Sequence, residues 1–119
     1  MRNMSFALTA DQIVAGTKTV TRRIGWEHLQ PGDQVRPVLK AMGMRKGEHV
    51  QVLTDPLTVR SVRRERLDRL LKDLDYGSAE VVAEGFPTLD PWEFVDMFLS
   101  SHKGCRQDSL VTRIEFEPR

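Results

Sequence analysis

Apolar and β-branched residues recur in short runs along the chain, and their spacing predicts a set of short strands. Five segments have the composition or the alternation of apolar and polar residues that is typical of strands: 17–23, 34–40, 49–53, 57–62 and 110–116. Within one of them, Leu57 and Val59 share one parity while Val62 has the other. This change of parity predicts a β-bulge or a strand end near Ser61.

The first predicted helix spans 10–15 and follows a short apolar run at 4–8. Thr9 and Gln12 have the spacing of a capping box, in which the threonine hydroxyl accepts a hydrogen bond from the backbone of residue 12. Gly16 tolerates the left-handed conformation that commonly ends a helix. These signals predict a short helix that leads directly into segment 17–23.

Leucines on one helical face predict a second helix over 66–74, with Gly77 at its end and a further helical turn over 78–83. The segment 90–93 predicts another helix start, because it combines an acidic cap, a proline in the first turn and a glutamate at the third position. This helix is expected to end at Gly104. Its apolar face contains Phe94, Val95 and Phe98.

The length of 119 residues fits one compact domain, expected to span 1–119, and leaves little room for two. A hydrophobic fraction of 39% with 29% charged residues is ordinary for a globular chain. No apolar run approaches the roughly 20 residues that cross a bilayer, and polar residues interrupt the N-terminal stretch before a signal-peptide core forms. We therefore expect an α+β protein in the cytoplasm with no membrane partner.

Cysteine and histidine are too sparse to indicate a metal site. Cys105 is the single cysteine, which excludes an internal disulfide and indicates a free or half-buried thiol. The histidines, at positions 28, 49 and 102, lack metal-binding spacing. The sequence therefore predicts neither a metal nor another cofactor.

Basic residues are clustered although the formal net charge is only +1. The first cluster comprises Lys18, Arg22 and Arg23. The second comprises Arg60, Arg63, Arg64, Arg66 and Arg69, interrupted by Glu65 and Asp68. Each cluster could bind a nucleic acid, or it could be a solvated face balanced by acids elsewhere.

A short motif follows the first helix. The segment 16–23, Gly-Thr-Lys-Thr-Val-Thr-Arg-Arg, resembles the GxKxxTxR signature of the ASCH family, and the turn Pro31-Gly32-Asp33 leads into a strand, as in that family. Segment 83–86 and the closing strand support the resemblance more weakly. It implies an α+β, PUA-like small mixed β-barrel with peripheral helices.

Members of that superfamily bind RNA or modified bases, and small bacterial members similar to this chain are amidohydrolases that remove an acyl group from N4-acetylcytidine. By this resemblance, the catalytic lysine, threonine and glutamate correspond to Lys18, Thr21 and Glu84. Glu80 is the alternative glutamate. The resemblance therefore implies a cleft that receives a nucleobase, a nucleoside or RNA.

These residue types suit acyl transfer. A threonine hydroxyl needs a base, and a lysine acts as one only when burial or a nearby cation lowers its pKa. An ionised Glu84 beside Lys18 would raise that pKa and oppose the role. Since Lys18 and Thr21 are three residues apart, they face the same way only if a turn or bulge separates Thr19 from Val20.

Other residues are candidates for contact with the ligand. The candidate ligand- or RNA-binding residues are Arg22, Arg23, Trp26, Arg60 and Arg63. Trp26 could stack on a base or pack in the core. The basic loop 40–48, with glycines at 43 and 47, could form one rim of the cleft or an ordinary hairpin loop.

The sequence leaves three functions open: an amidohydrolase acting on an acylated cytidine or a similar amide, a non-catalytic RNA-binding module, and a ribonuclease. The ribonuclease is the weakest, because neutral histidines in a cleft would be expected. If Lys18 lies in a pocket, its ammonium should be within reach of a carboxylate, with Glu84 as the first choice.

Overall fold

The computed structural model describes residues 1–41 and 45–119 and has the expected α+β architecture. The elements of the described chain are, in order, β1 Arg2–Ser5, α1 Ala10–Ala15, β2 Val20–Arg23, β3 Gln34–Val38, β4 Leu57–Arg66, α2 Arg69–Lys72, α3 Leu74–Ala83, α4 Pro91–Ser101 and β5 Leu110–Phe116. Within these two ranges, none of the helices is long and apolar enough to cross a membrane.

The strands form one mixed sheet in the order β1-β3-β4-β5-β2. β1 pairs with β3 in parallel, and the other neighbouring strands are antiparallel. The register of β4 against β5 shifts between Val59 and Ser61, which confirms the predicted bulge. β1 and β2 lie at opposite edges of the sheet, so no backbone ladder closes the described strands into the expected barrel.

A side chain, rather than a ladder, links the two edges of the sheet. Arg23 in β2 donates a hydrogen bond from Nη2 to the carbonyl oxygen of Ser5 in β1, at 2.5 Å. Residues of the loop between β1 and α1, together with residues of α4, line the space beside this link. A cavity therefore lies between the edge strands β1 and β2, the loop and α4.

Apolar side chains form two cores. The first joins the sheet to α1 and contains Met4, Phe6, Ile13, Leu29, Val35, Leu57, Val59, Ile114 and Phe116. The second joins α2, α3 and α4 to β5 and contains Leu67, Leu70, Val81, Phe94, Val95, Phe98 and Val111. The helix start predicted at segment 90–93 is confirmed and forms a capping box between Asp90 and Glu93, and the predicted apolar face of α4 is buried. This helix ends at Ser101, before the Gly104 turn.

The single helix predicted over 66–74 is wrong. β4 continues to Arg66, because it pairs with β5 as far as Leu110. The chain then forms the short α2, and α3 begins at Leu74, which is exposed. Leu67 just after β4 and Leu70 in α2 are buried, so the leucine spacing does not come from one continuous helix. Gly77 does not end a helix but lies inside α3.

Two other predictions are corrected. Segment 49–53 is not a full strand, since its pairing with β3 is reduced to one isolated bridge between Val52 and Val38. The Thr9 side chain makes no capping hydrogen bond, although Gly16 does end α1 with φ of 79°. The predicted turn glycine Gly43 lies outside the described residues.

Gly77 in α3 lies directly against the backbone of α2. A Cβ added there would lie 2.1 Å from the backbone oxygen of Leu70, which cannot move without disturbing α2. We therefore expect Gly77→Ala to lower the free energy of unfolding by about 3 kcal/mol, the upper range for forced overpacking. Urea denaturation measures this change.

Ser78→Ala is the matched control, because the neighbouring residue is exposed on the same helix. Its effect should stay within about 0.5 kcal/mol. Equal stabilities for the two variants would contradict the close packing of α2 against α3.

Candidate functional site

A cavity of about 230 Å³ lies beside the edge strands β1 and β2. Its polar lining includes Lys18, Thr21, Arg22, Arg23 and Glu84. Its apolar lining includes Phe6, Phe86, Phe94, Met97 and Phe98, with His102 next to them. The structure thus brings all three predicted catalytic residues and two predicted ligand-binding arginines to one cavity.

The backbone around Lys18 explains how Lys18 and Thr21 reach the same cavity. Gly16 ends α1, and the amide of Lys18 donates to the carbonyl oxygen of Gln12 at 3.2 Å. The regular strand begins only at Val20. Lys18 therefore belongs to the exit from the helix, and the strand alternation that would point it away from Thr21 does not apply.

Glu84 is the carboxylate beside Lys18. Lys18 Nζ lies 2.8 Å from Glu84 Oε1 and 2.7 Å from the Glu84 carbonyl oxygen, and each side chain is 4% exposed. The expected contact between the two residues is therefore confirmed. Glu80, the alternative, does not line the cavity and contacts Arg22 and Arg113 instead.

The surroundings make Lys18 less basic than an ordinary lysine. Burial lowers the pKa of its ammonium, and the nearby charges of Arg23 and Arg22 lower it further, whereas Glu84 acts in the opposite direction. The pKa remains lowered on balance. A lowered pKa is the condition under which a lysine can accept a proton near neutral pH.

Arg22 extends the site into a buried ionic network. Its Nη1 donates to Glu84 Oε2 at 3.1 Å, while Nη2 lies 2.6 Å from Glu80 Oε1 and 3.0 Å from Glu65 Oε2. The Tyr76 hydroxyl lies 3.2 Å from the same Nη2. Three carboxylates thus converge on one buried guanidinium. The contact with Arg22 holds the Glu84 side chain beside Lys18.

Glu80 is fixed from both sides. Arg113 donates to its carboxylate from Nε at 2.5 Å and from Nη2 at 3.1 Å. Burial would raise the pKa of Glu80, but the hydrogen bonds from Arg113 and the charge of Arg22 outweigh it and lower the pKa to about 2. Burial would likewise lower the pKa of Arg22, but its three carboxylate neighbours raise it.

Sequence reasoning missed the supporting residues Glu65, Tyr76 and Arg113. One signal was available, because Glu65 interrupts a run of arginines in the sequence. Gly85 was missed as well. Its φ is +98°, and a Cβ there would lie 3.2 Å from Gln12 Cγ and 3.4 Å from Lys18 Cβ, so a side chain would crowd the catalytic lysine candidate.

The remaining predicted ligand-binding residues do not line this cavity. Trp26 packs partly against the first core, and its ring lies 5.8 Å from that of His28. Arg60 is exposed on β4. Arg63 is also exposed and pairs with Glu65 at 2.9 Å. The second basic cluster therefore lies outside this cavity.

Comparison of the chain with family models, curated proteins and solved structures found no match. The resemblance to the ASCH family therefore stays a prediction from the motif residues. In the described ranges, no group of three or more histidine, cysteine or acidic side chains could hold a metal ion. Cys105 is half-buried and free.

Glu80 should make folding sensitive to acid. Its folded-state pKa of about 2 lies below the ordinary value of 4.5, so its contribution to stability is complete above pH 4.5 and is lost as the pH falls to 2. Glu80→Gln leaves two buried guanidinium groups without their shared carboxylate, and should lower the free energy of unfolding at pH 7 by about 3 kcal/mol. Urea denaturation at pH 7 and pH 3 measures both effects.

The difference between wild type and Glu80→Gln should be smaller at pH 3 than at pH 7. Asp96→Asn is the control, since Asp96 is exposed on α4 and forms no ion pair within the described chain. A difference that is the same at both pH values would show that Glu80 does not carry the expected charge.

Proposed function

We propose that this chain is an amidohydrolase that removes an acyl group from the exocyclic amine of a nucleobase, with N4-acylated cytidine as the model substrate. One observation carries the proposal: the buried Lys18–Glu84 pair opens into a cavity that also contains the Thr21 hydroxyl. The motif resemblance and the cavity lead to the same three residues. A PUA-like arrangement is part of this proposal, supported by the Arg23 link between the sheet edges.

The shape of the cavity suits a small planar ligand. Its volume of about 230 Å³ is below the range of most drug-sized sites, which begin near ~300 Å³. Phe86, Phe94 and Phe98 provide aromatic surface in its lining. Aromatic side chains favour planar, partly apolar rings, while the polar groups of the lining can orient an amide.

The chemistry assigns a separate role to each polar residue. Neutral Lys18 accepts the proton of Thr21 Oγ1 as that oxygen attacks the acyl carbon. The carbon–nitrogen bond then breaks, and the proton passes to the leaving amine. Water hydrolyses the resulting acyl-threonine and releases the carboxylic acid. Arg23 Nε lies 3.2 Å from Thr21 Oγ1 and can stabilise the developing alkoxide.

Lys18 and Thr21 form no direct hydrogen bond in the described chain, since the Lys18 ammonium donates to Glu84. Proton transfer between them therefore requires a bridging water or a small side-chain movement on substrate binding. A water activated by Lys18 is the alternative nucleophile. Loss of the Thr21 hydroxyl abolishes hydrolysis by the threonine route but not by the water route.

The geometry favours a small-molecule substrate over the non-catalytic RNA-binding alternative. Carboxylates accompany the arginines of the second cluster: Arg63 pairs with Glu65, Arg64 with Glu27 and Arg66 with Asp68. Paired arginines have less charge available for phosphates, which supply most of the affinity for nucleic acids.

Lys18→Ala removes the base and Thr21→Ala the nucleophile, so each should lower turnover of N4-acetylcytidine by at least ~100-fold. The double variant should be scarcely worse than either single one, because the two residues act as a unit. Release of cytidine, followed by liquid chromatography, measures the rate. Thermal unfolding checks that each variant is folded.

Thr21→Ser is the control, since it keeps a hydroxyl and should retain measurable activity. If Thr21→Ala keeps nearly full activity while Lys18→Ala is inactive, the nucleophile is water and not threonine. Full activity of both folded variants would show that the site is assigned to the wrong residues. Tight binding of short RNA without any hydrolysis would favour the RNA-binding module.

A further inference from the structure

A second, larger cavity adjoins the first. It has a volume of about 530 Å³ and shares with the first cavity the residues Ser5, Ala7, Arg23 and His102. Trp26 and two more cations, Arg2 and Lys40, also line it. The two cavities therefore adjoin, with the Lys18 site in the first and a basic groove in the second. Arg23 lines both cavities.

Arg23 is a mostly buried cation without a carboxylate partner. It forms no ion pair with any described residue, whereas its neighbour Arg22 has three. Its Nε and Nη2 bond to neutral oxygens of Thr21 and Ser5. Burial lowers the pKa of its guanidinium to about 10, so it remains charged at neutral pH. A buried charge of this kind is stabilised by an anion.

Arg23 also has a donor group available for a ligand. Nη1 donates no hydrogen bond to the described protein residues, and it is not sealed from solvent. The guanidinium fork is well suited to two oxygens of one phosphate or carboxylate. A ligand in the groove can therefore use a nitrogen that the fold leaves unused.

Arg2 and Lys40 add charge to the same groove. Neither forms an ion pair within the described chain. The Arg2 guanidinium carbon lies 4.2 Å from the centre of the Trp26 ring, and Nη1 lies 2.9 Å from His28 Nε2. These contacts hold Arg2 in place while leaving its charge uncompensated, unlike the paired arginines of β4.

We propose that the groove of Arg2, Arg23 and Lys40 binds the phosphate of a nucleoside monophosphate whose base occupies the cavity at Lys18. This assignment of substrate class rests on the proposed function, because that function supplies the base. The cationic groove itself does not depend on hydrolysis. The acylated substrate would thus be a nucleotide, with its acyl amide at Thr21 and its phosphate in the groove of Arg2, Arg23 and Lys40.

Binding of the reaction products separates the two halves of the proposal. Isothermal titration calorimetry compares cytidine, cytidine 5′-monophosphate and inorganic phosphate on the intact protein. The monophosphate should bind at least ~10-fold more tightly than cytidine, as expected for charge-assisted hydrogen bonds to a phosphate. This preference should shrink as salt is added, because the groove is open to solvent.

Arg2→Gln and Lys40→Gln test the groove with little risk to folding, since both side chains belong to exposed residues. Each should reduce the preference for the monophosphate while leaving the affinity for cytidine unchanged. Arg60→Gln is the matched control, because it removes an exposed arginine that lines neither cavity. It should leave both affinities as they are.

Each outcome has a distinct meaning. Equal affinity for cytidine and its monophosphate overturns the phosphate site and leaves the proposed function standing. Binding of the monophosphate and of inorganic phosphate, without binding of cytidine or hydrolysis, supports the anion site and overturns the proposed function. Failure of all three compounds to bind overturns both, and a preference that Arg60→Gln reduces as much as Arg2→Gln overturns the assignment to this groove.

Discussion

The buried charge of Arg22 is the constraint on which the rest of the site depends. A guanidinium with almost no exposure needs counter-charges, and Glu65, Glu80 and Glu84 supply them from β4, α3 and the end of α3. The same carboxylates attract Lys18 and Arg113. One requirement of electrostatics therefore fixes how the helices sit against the sheet and where the Lys18 ammonium lies.

This arrangement divides the cations of the molecule into two kinds. Arg22 and Arg113 are neutralised inside the protein and have a structural role. Arg23 is mostly buried yet bonded only to neutral oxygens. Both kinds of cation occur in β2, where Arg22 is neutralised by carboxylates and the adjacent Arg23 has no carboxylate partner among the described residues. Both side chains line the cavity, but Arg22 bonds to the carboxylates whereas Arg23 bonds to Thr21 and Ser5.

Local signals predicted those parts of the fold that local chemistry determines. The Gly16 helix end, the α4 capping box and the bulge near Ser61 all depend on a few neighbouring residues. The leucine spacing at 67–74 wrongly predicted a single helix, because pairing with β5 keeps Arg66 in β4 and the chain then forms α2 and the start of α3. The contact between Lys18 and Glu84 came from the motif resemblance. Its supporting network did not, because the partners of a buried charge come from distant segments.

The Arg23 bridge between the edges of the sheet has a consequence for how this architecture can diversify. In a closed barrel, backbone hydrogen bonds set the spacing of the strands, so a single substitution does not change that spacing. Here the gap between β1 and β2 is spanned by one side chain on Ser5. The length of this side chain therefore bears on the width of the gap between the two edge strands. Descendants of this chain could therefore admit ligands of different size by changing a few side chains, with the hydrogen-bonded sheet left intact.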